Sequence, residues 1–182
     1  MPLPNLQNLR SPAALASFFL TAILGLGLDL WTKHLAVQRL SGELATRYEV
    51  VPGWLEFTFI KNEGAVFGLG QGRWALFIAV SIAAILFLTY LFVSSGRQHL
   101  YQFILGMLMA GVLGNMYDRI VYGHVRDMIH ILSQWGLFPW VFNVADVLLC
   151  TGVGMMVLYS VLQSKKKEQP AEDAGEAALD QQ

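Results

Sequence analysis

Apolar residues fall along this chain in four long runs, and polar residues collect in the connections between them. The runs cover about residues 13–31, 74–93, 100–117 and 140–162. Each is close to the roughly 20 residues that a helix needs to cross a bilayer. Ser11-Pro12 offers an N-cap and a first-turn proline to the first helix, and Pro139 marks the start of the fourth in the same way. The third run carries Gly106, Ala110 and Gly114 at intervals of four, a ladder of small residues that lets helix backbones approach closely in lipid. Asn115 and Asp118 stand beside that ladder and are expected to face protein. A different, period-two pattern lies between the first two runs. There Leu55-Glu56-Phe57-Thr58-Phe59 alternates apolar and polar, which predicts a short half-buried strand after the Pro52-Gly53 turn. A small sheet or ribbon over about residues 41–73 is expected at the membrane surface, with Trp54, Phe57, Phe59 and Phe67 on its lipid- or substrate-facing side.

Composition moves this picture firmly into the membrane. Of 182 residues, 55% are hydrophobic and 14% charged, with a mean hydropathy of +0.49. Soluble domains are about a quarter charged. The formal net charge of -1 gives no basic field to recruit nucleic acid. Cys150 is the only cysteine, so no internal disulfide forms, and no Cys/His cluster suggests zinc. Within its apolar run Cys150 reads as a small buried hydrophobe. The fold predicted is a membrane all-α domain over residues 1–163, with four transmembrane helices and a small extracytoplasmic β-ribbon between helices 1 and 2. Residues 164–182 are too poor in apolar surface to order themselves and read as a disordered tail.

Residues 1–28 resemble a signal peptide, but no cleavage site followed by a soluble domain appears, so a retained helix is expected. The triplet Lys165-Lys166-Lys167 and Arg97 place both termini in the cytoplasm, against Arg47, Lys61 and Arg73 on the other side. Tyr117, Tyr122, Trp135 and Trp140 then form an aromatic belt at the outer interface.

Charged residues in such a chain are functional candidates by default, because a carboxylate at the edge of lipid is costly. Asp127 and Asp146 bracket the connection between the last two runs. If they face each other, one ionised carboxylate can act as base while its protonated neighbour acts as acid. Asp29 and Lys33 are four apart in the favourable order, which is either a local ion pair or part of a site. Asn62 and Gly64, after the predicted strand, make either a turn or a peptide-binding amide. Asp118 beside Arg119 reads as a structural ion pair, and Asn143 shares a face of the fourth helix with Asp146.

Taken in order, Asp29-x-x-Thr32-Lys33, Asn62-x-Gly64-x-x-Phe67, Gly114-Asn115-x-x-Asp118-Arg119 with Val125-x-Asp127, and Phe142-Asn143-x-Ala145-Asp146 resemble the lipoprotein signal peptidases, the bacterial type II signal peptidases. The match spans residues 29–146. The resemblance implies an aspartyl endopeptidase with Asp127 and Asp146 as catalytic dyad. It implies that Asp29, Lys33, Asn62, Gly64, Asn115, Arg119 and Asn143 support the site or bind substrate, with Asp118 in an ion pair. It further implies lipidated prolipoprotein substrates met in the bacterial inner membrane, action as a monomer without metal or cofactor, and inhibition by cyclic peptides bound at the dyad. Arg126 is expected to point away from Asp127, toward lipid headgroups, and Glu63 adds an acid inside the asparagine-glycine motif.

Rival readings fit less of the pattern. A proton-coupled transporter or assembly factor would use the same aspartates without cutting anything, but predicts charges nearer mid-span and internal repeats. There is no HExxH motif, and Ser133 lacks a G-x-S-x-G context. His124 and His130, six apart, read as interfacial residues and not ligands, and His34 and His99 are expected to lack partners.

Overall fold

The computed structural model describes residues 11–41, 47–64, 72–95, 98–131 and 140–179, with side chains as far as Ser164. In chain order the elements are α1 (Pro12–Leu40), β1 (Tyr48–Val51), β2 (Leu55–Asn62), α2 (Trp74–Ser94), α3 (His99–Tyr122), β3 (Val125–Ile131), β4 (Val141–Phe142) and α4 (Val144–Leu179). All four helices, with α4 taken over Val144–Ser164, are long and apolar enough to cross a membrane. Ser11 caps α1 as its sequence suggests, its hydroxyl accepting from the Ala14 amide at 3.4 Å with Pro12 at the first position. Pro139, Trp135, Phe67 and Arg97 lie outside the described residues. So do all side chains of the expected disordered tail beyond Ser164.

α3 stands at the centre, packed against α1, α2 and α4. Its small residues make this possible. A Cβ added to Gly106 would lie 2.6 Å from the Phe18 carbonyl of α1. One added to Gly114 would collide with the Asp29 carboxylate, so the ladder is where α1 and its charges meet α3. α2 is apolar on every side and buries only Leu88 and Phe92, leaving Leu76, Val80, Leu86 and Phe87 exposed to a lipid surround. The apolar core gathers Phe18, Ala22, Leu88, Phe92, Ile104, Leu105, Leu108 and Met109, at the end of the bundle remote from the strands. Buried polar residues collect at the opposite end.

Helix boundaries depart from the apolar runs in an instructive way. α1 continues past Trp31 to Leu40 because Asp29 and Lys33 are fully buried against protein and do not need water. α3 ends at Gly123, whose φ of 76° provides the left-handed C-cap that a β-carbon would oppose. α4 starts at Val144, not near Trp140, because Val141 and Phe142 are drawn into a strand.

That strand belongs to a sheet wider than expected. β1 and β2 form the ribbon anticipated between the first two helices, but the order is β1-β2-β3-β4, antiparallel throughout. The connection holding Asp127 is therefore half of the sheet. Its run Val125-Arg126-Asp127-Met128-Ile129-His130-Ile131 pairs with β2 such that Ile60 faces Asp127 and Lys61 faces Arg126. The strand's alternation puts Asp127 on one face and Arg126 on the other.

Candidate active site

Five elements converge on the polar end of the bundle. α1 contributes Asp29 and Lys33, one helical turn apart and joined at 2.8 Å, both at 0% exposure. Two charges taken out of water are costly unless their remaining hydrogen-bonding capacity is met. Here Lys33 Nζ also reaches Asn115 Oδ1 at 3.1 Å and Asp118 Oδ2 at 3.3 Å, while Asp29 Oδ1 accepts from the Ala145 amide at 2.8 Å. That amide is one of the unpaired donors of the first turn of α4, where negative charge is favoured. Asp29 thus fastens α1 to the start of α4.

Asp118, one turn after Gly114 on α3, does not pair with its neighbour Arg119. Instead it grips Arg126: Oδ2 accepts from the Arg126 amide at 2.9 Å, and Oδ1 accepts from Nη2 at 2.7 Å and Nε at 3.1 Å. Arg126 is 5% exposed and lies over the Tyr122 ring at 4.3 Å, so it does not extend into lipid headgroups. It does point away from Asp127, as alternation along a strand requires. The grip fixes the first residues of β3, and Asp127 with them. Arg119 turns elsewhere, donating to the Asn115 carbonyl at 3.2 Å and the Gly64 carbonyl at 3.1 Å, over the Phe77 ring of α2 at 4.8 Å.

Asn62, the last residue of β2, performs two tasks. Its carbonyl oxygen accepts from the Gly64 amide at 3.0 Å, forming the turn, and its amide nitrogen donates to Asp127 Oδ2 at 2.8 Å. The turn read from the sequence is thus present, and the amide donor is given to the aspartate.

Asn143 lies just before α4 and not within it. Its Oδ1 accepts from the Asp146 amide at 3.0 Å, while Asp146 Oδ2 accepts from the Asn143 amide at 3.1 Å. This is a reciprocal capping box with Asn and Asp in place of Ser and Glu. The free amide nitrogen of Asn143 donates to Asp127 Oδ1 at 2.6 Å and to Asn115 Oδ1 at 3.2 Å. Asn115 in turn donates to Asp146 Oδ1 at 2.8 Å. The two aspartates are linked through Asn143 directly and through Asn115 by one further bond.

Asp127 is 2% exposed, and its carboxyl is pushed up from 3.8 to about 6. Burial is the chief cause and the negative charge of Asp146 the second; the amides of Asn62 and Asn143 and the charge of Lys33 oppose the rise. Asp127 and Asp146 line one cavity of about 840 Å³, within the range of small-molecule and peptide-sized sites. Asn62, Asn115 and Arg119 share its polar end, while Phe77, Val80 and Val147 from α2 and α4 build an apolar wall.

Nine of the ten candidate residues touch this network directly, and Gly64 joins it through its backbone. Several contributors were not foreseen. Phe77 supports Arg119 with nothing in the sequence to mark it beyond its place in the first turn of α2. Cys150 is exposed and lines the cavity one turn beyond Asp146, contrary to its reading as a buried hydrophobe, because α4 turns that face toward open space. His34 does have a partner, its Nε2 lying 2.9 Å from Gln38 Nε2, and His130 Nδ1 lies 2.7 Å from Glu56 Oε1. Of the expected aromatic side of the ribbon, Phe59 lines a separate cavity behind the sheet.

Such a bundle, apolar outside and with its buried charges at one end, defines a multi-pass membrane protein with an open, largely apolar cavity that carries polar groups at one end. The family model described as signal peptidase (SPase) II matches residues 21–162. Among curated relatives, the lipoprotein signal peptidase of Enterococcus faecalis is 34% identical over 152 residues, covering 83% of this chain and 91% of that protein. That of Symbiobacterium thermophilum is 38% identical over 147 residues, covering 80% and 94%. A solved structure described as a bacterial membrane enzyme superposes with a TM-score of 0.76 at 28% identity, covering 84% of this chain and 92% of the other. A second, described in the same words, gives 0.70 at 27% identity over 80% and 92%. The chain belongs to the signal peptidase II family.

Proposed function

We propose that the protein is an aspartyl endopeptidase that removes the signal peptide from diacylglyceryl-modified prolipoproteins, cutting the bond on the N-terminal side of the lipidated cysteine. The observation that carries this is the placement of Asp127 and Asp146 on one cavity, joined through Asn143 and unequal in surroundings. Neighbouring carboxylates share a proton, since both cannot ionise cheaply. Burial and the neighbouring charge raise Asp127, which supports placing that proton there. Asp146 then takes a proton from a water whose oxygen attacks the scissile carbonyl carbon, and Asp127 gives its proton to the carbonyl oxygen. In the second half the amine leaves with the proton held by Asp146, the C–N bond breaks, and Asp127 recovers a proton from a hydroxyl of the intermediate. The remaining residues hold these groups: Asn62 and Asn143 on Asp127, Asn115 and Asn143 on Asp146, and the Asp29–Lys33–Asp118 set beneath them.

Membrane embedding suits a lipidated substrate. Acyl chains partition into the bilayer at about 0.8 kcal/mol per CH₂, which brings the bond beside the attached cysteine to the depth of the cavity. The apolar wall of Phe77, Val80 and Val147 continues that environment into the site. The lysine triplet at residues 165–167, just past the apolar span Val144–Ser164, supports a location in the bacterial inner membrane with both termini cytoplasmic and the dyad near the outer face.

The test is incubation of purified protein with lipidated and unlipidated precursor, each with and without a chelator. Cleavage of the lipidated form alone, resistant to the chelator and abolished in Asp127→Asn and Asp146→Asn, is expected. A fully active Asp146→Asn protein would end the proposal.

A further inference from the structure

A second cavity, about 650 Å³, lies behind the sheet, on the face opposite the dyad. Its wall contains His34, Phe59, Lys61, Tyr122, His124 and Arg126, and among the described lining residues there is no carboxylate. Lys61 and Arg126 are register partners on neighbouring antiparallel strands. Like charges placed directly opposite in this way repel. Arg126 is answered by Asp118, but Asp118 also receives Lys33, and Lys33 is matched by Asp29. These four charges sum to zero and leave nothing for Lys61, which is exposed and has no ion pair among the described residues. The cavity therefore presents one uncompensated cation, a second held against Tyr122, and two imidazoles able to donate.

We propose that this cavity binds the phosphodiester of an anionic phospholipid from the leaflet on the sheet side. The placement favours lipid over a free anion. The cavity opens between residues 34–41 of α1 and Tyr122 of α3, at the ends of two helices apolar and long enough to cross a membrane, where headgroups would lie. Val37, Phe59 and Tyr122 add apolar surface beside the cations, suited to a glycerol backbone and the first carbons of its chains. The bound headgroup would stand directly behind the β2–β3 ladder, whose other face presents Asn62 and Asp127. Lys61 also lines the dyad cavity, so the test reads lipid binding and not cleavage, and its outcome does not depend on the peptidase chemistry.

The full chain, purified in detergent, is titrated with phosphatidylglycerol or phosphatidylcholine and read by native mass spectrometry, with inorganic phosphate measured by calorimetry. Phosphatidylglycerol is expected to bind about tenfold more tightly than phosphatidylcholine, and Lys61→Gln to weaken it about fivefold, as removal of one basic side chain near an anionic lipid does. Lys61→Arg should retain binding, and His124→Gln added to Lys61→Gln should weaken it further. Equal retention of the two lipids, or undiminished phosphatidylglycerol binding in both Lys61→Gln and the double variant, overturns the proposal. Inorganic phosphate binding as tightly as phosphatidylglycerol overturns the lipid assignment and gives the cavity to a free anion.

Discussion

Replacing Asn62 with alanine should displace the alkaline limb of the cleavage profile toward higher pH. The Asn62 amide donates to Asp127 Oδ2 at 2.8 Å, and this bond favours the ionised carboxylate. It offsets part of the rise that burial and the Asp146 charge impose, leaving Asp127 at about 6. A hydrogen bond to a charged group contributes about 1.5–3 kcal/mol, and one pKa unit corresponds to about 1.4 kcal/mol. Deleting the donor therefore raises Asp127 by about one unit or somewhat more. With Asp127 as the acid, kcat/KM falls as pH rises through its pKa. The half-maximal point on the alkaline side should move from about 6 to about 7 or above. The variant will also be slower at its optimum, since Asn62 shapes the turn to Gly64. The position of the limb does not depend on its height, so the two effects separate. The assay is kcat/KM on lipidated precursor in mixed micelles across pH 4.5 to 9 in wild type and variant. A limb that stays in place or moves to lower pH refutes the assignment of the proton to Asp127.

Other consequences are open to simpler measurements. Gly114→Ala drives a methyl group into the Asp29 carboxylate and should cost about 1–3 kcal/mol with loss of cleavage, whereas Gly154→Ala, with nothing within 4 Å, should leave the melting temperature unchanged or higher. Thermal unfolding in detergent compares the two. Lys33→Met strands a buried Asp29 and should destabilise by about 3–5 kcal/mol, with part of the loss recovered in Lys33→Met/Asp29→Asn; no recovery in the double variant would contradict the charge accounting. Attaching a bulky maleimide to Cys150 should block cleavage, and Cys150→Ala should retain activity and become resistant to the reagent.

The helices were legible because lipid imposes the same demand along every span, and apolar runs of the right length record it directly. The motif residues were legible as a set, since charges and amides at such positions have few bland explanations. What stayed hidden was mostly pairing. β3 begins within a few residues of a helix, and its alternation mixes Arg126, Asp127 and His130 with apolar residues, so its match to β2 is settled by long-range register and by the Asp118 grip. Asn143 looked like a helical residue because Asn143 and Asp146 are three apart; the same spacing serves a cap. Asp118 seemed bound to Arg119 by adjacency, but adjacent residues on a helix point about 100° apart, which leaves each free to reach a different strand or loop.

Asn143 starts α4 and also bridges the two carboxylates, and this has a consequence for how the protein varies. Substitution there cannot retune the acid without loosening the helix that bears the base, nor mend the helix without disturbing the acid. Natural variation should therefore accumulate in the lipid-facing walls and around the rear cavity, leaving substrate breadth to diverge while this one asparagine remains immobile.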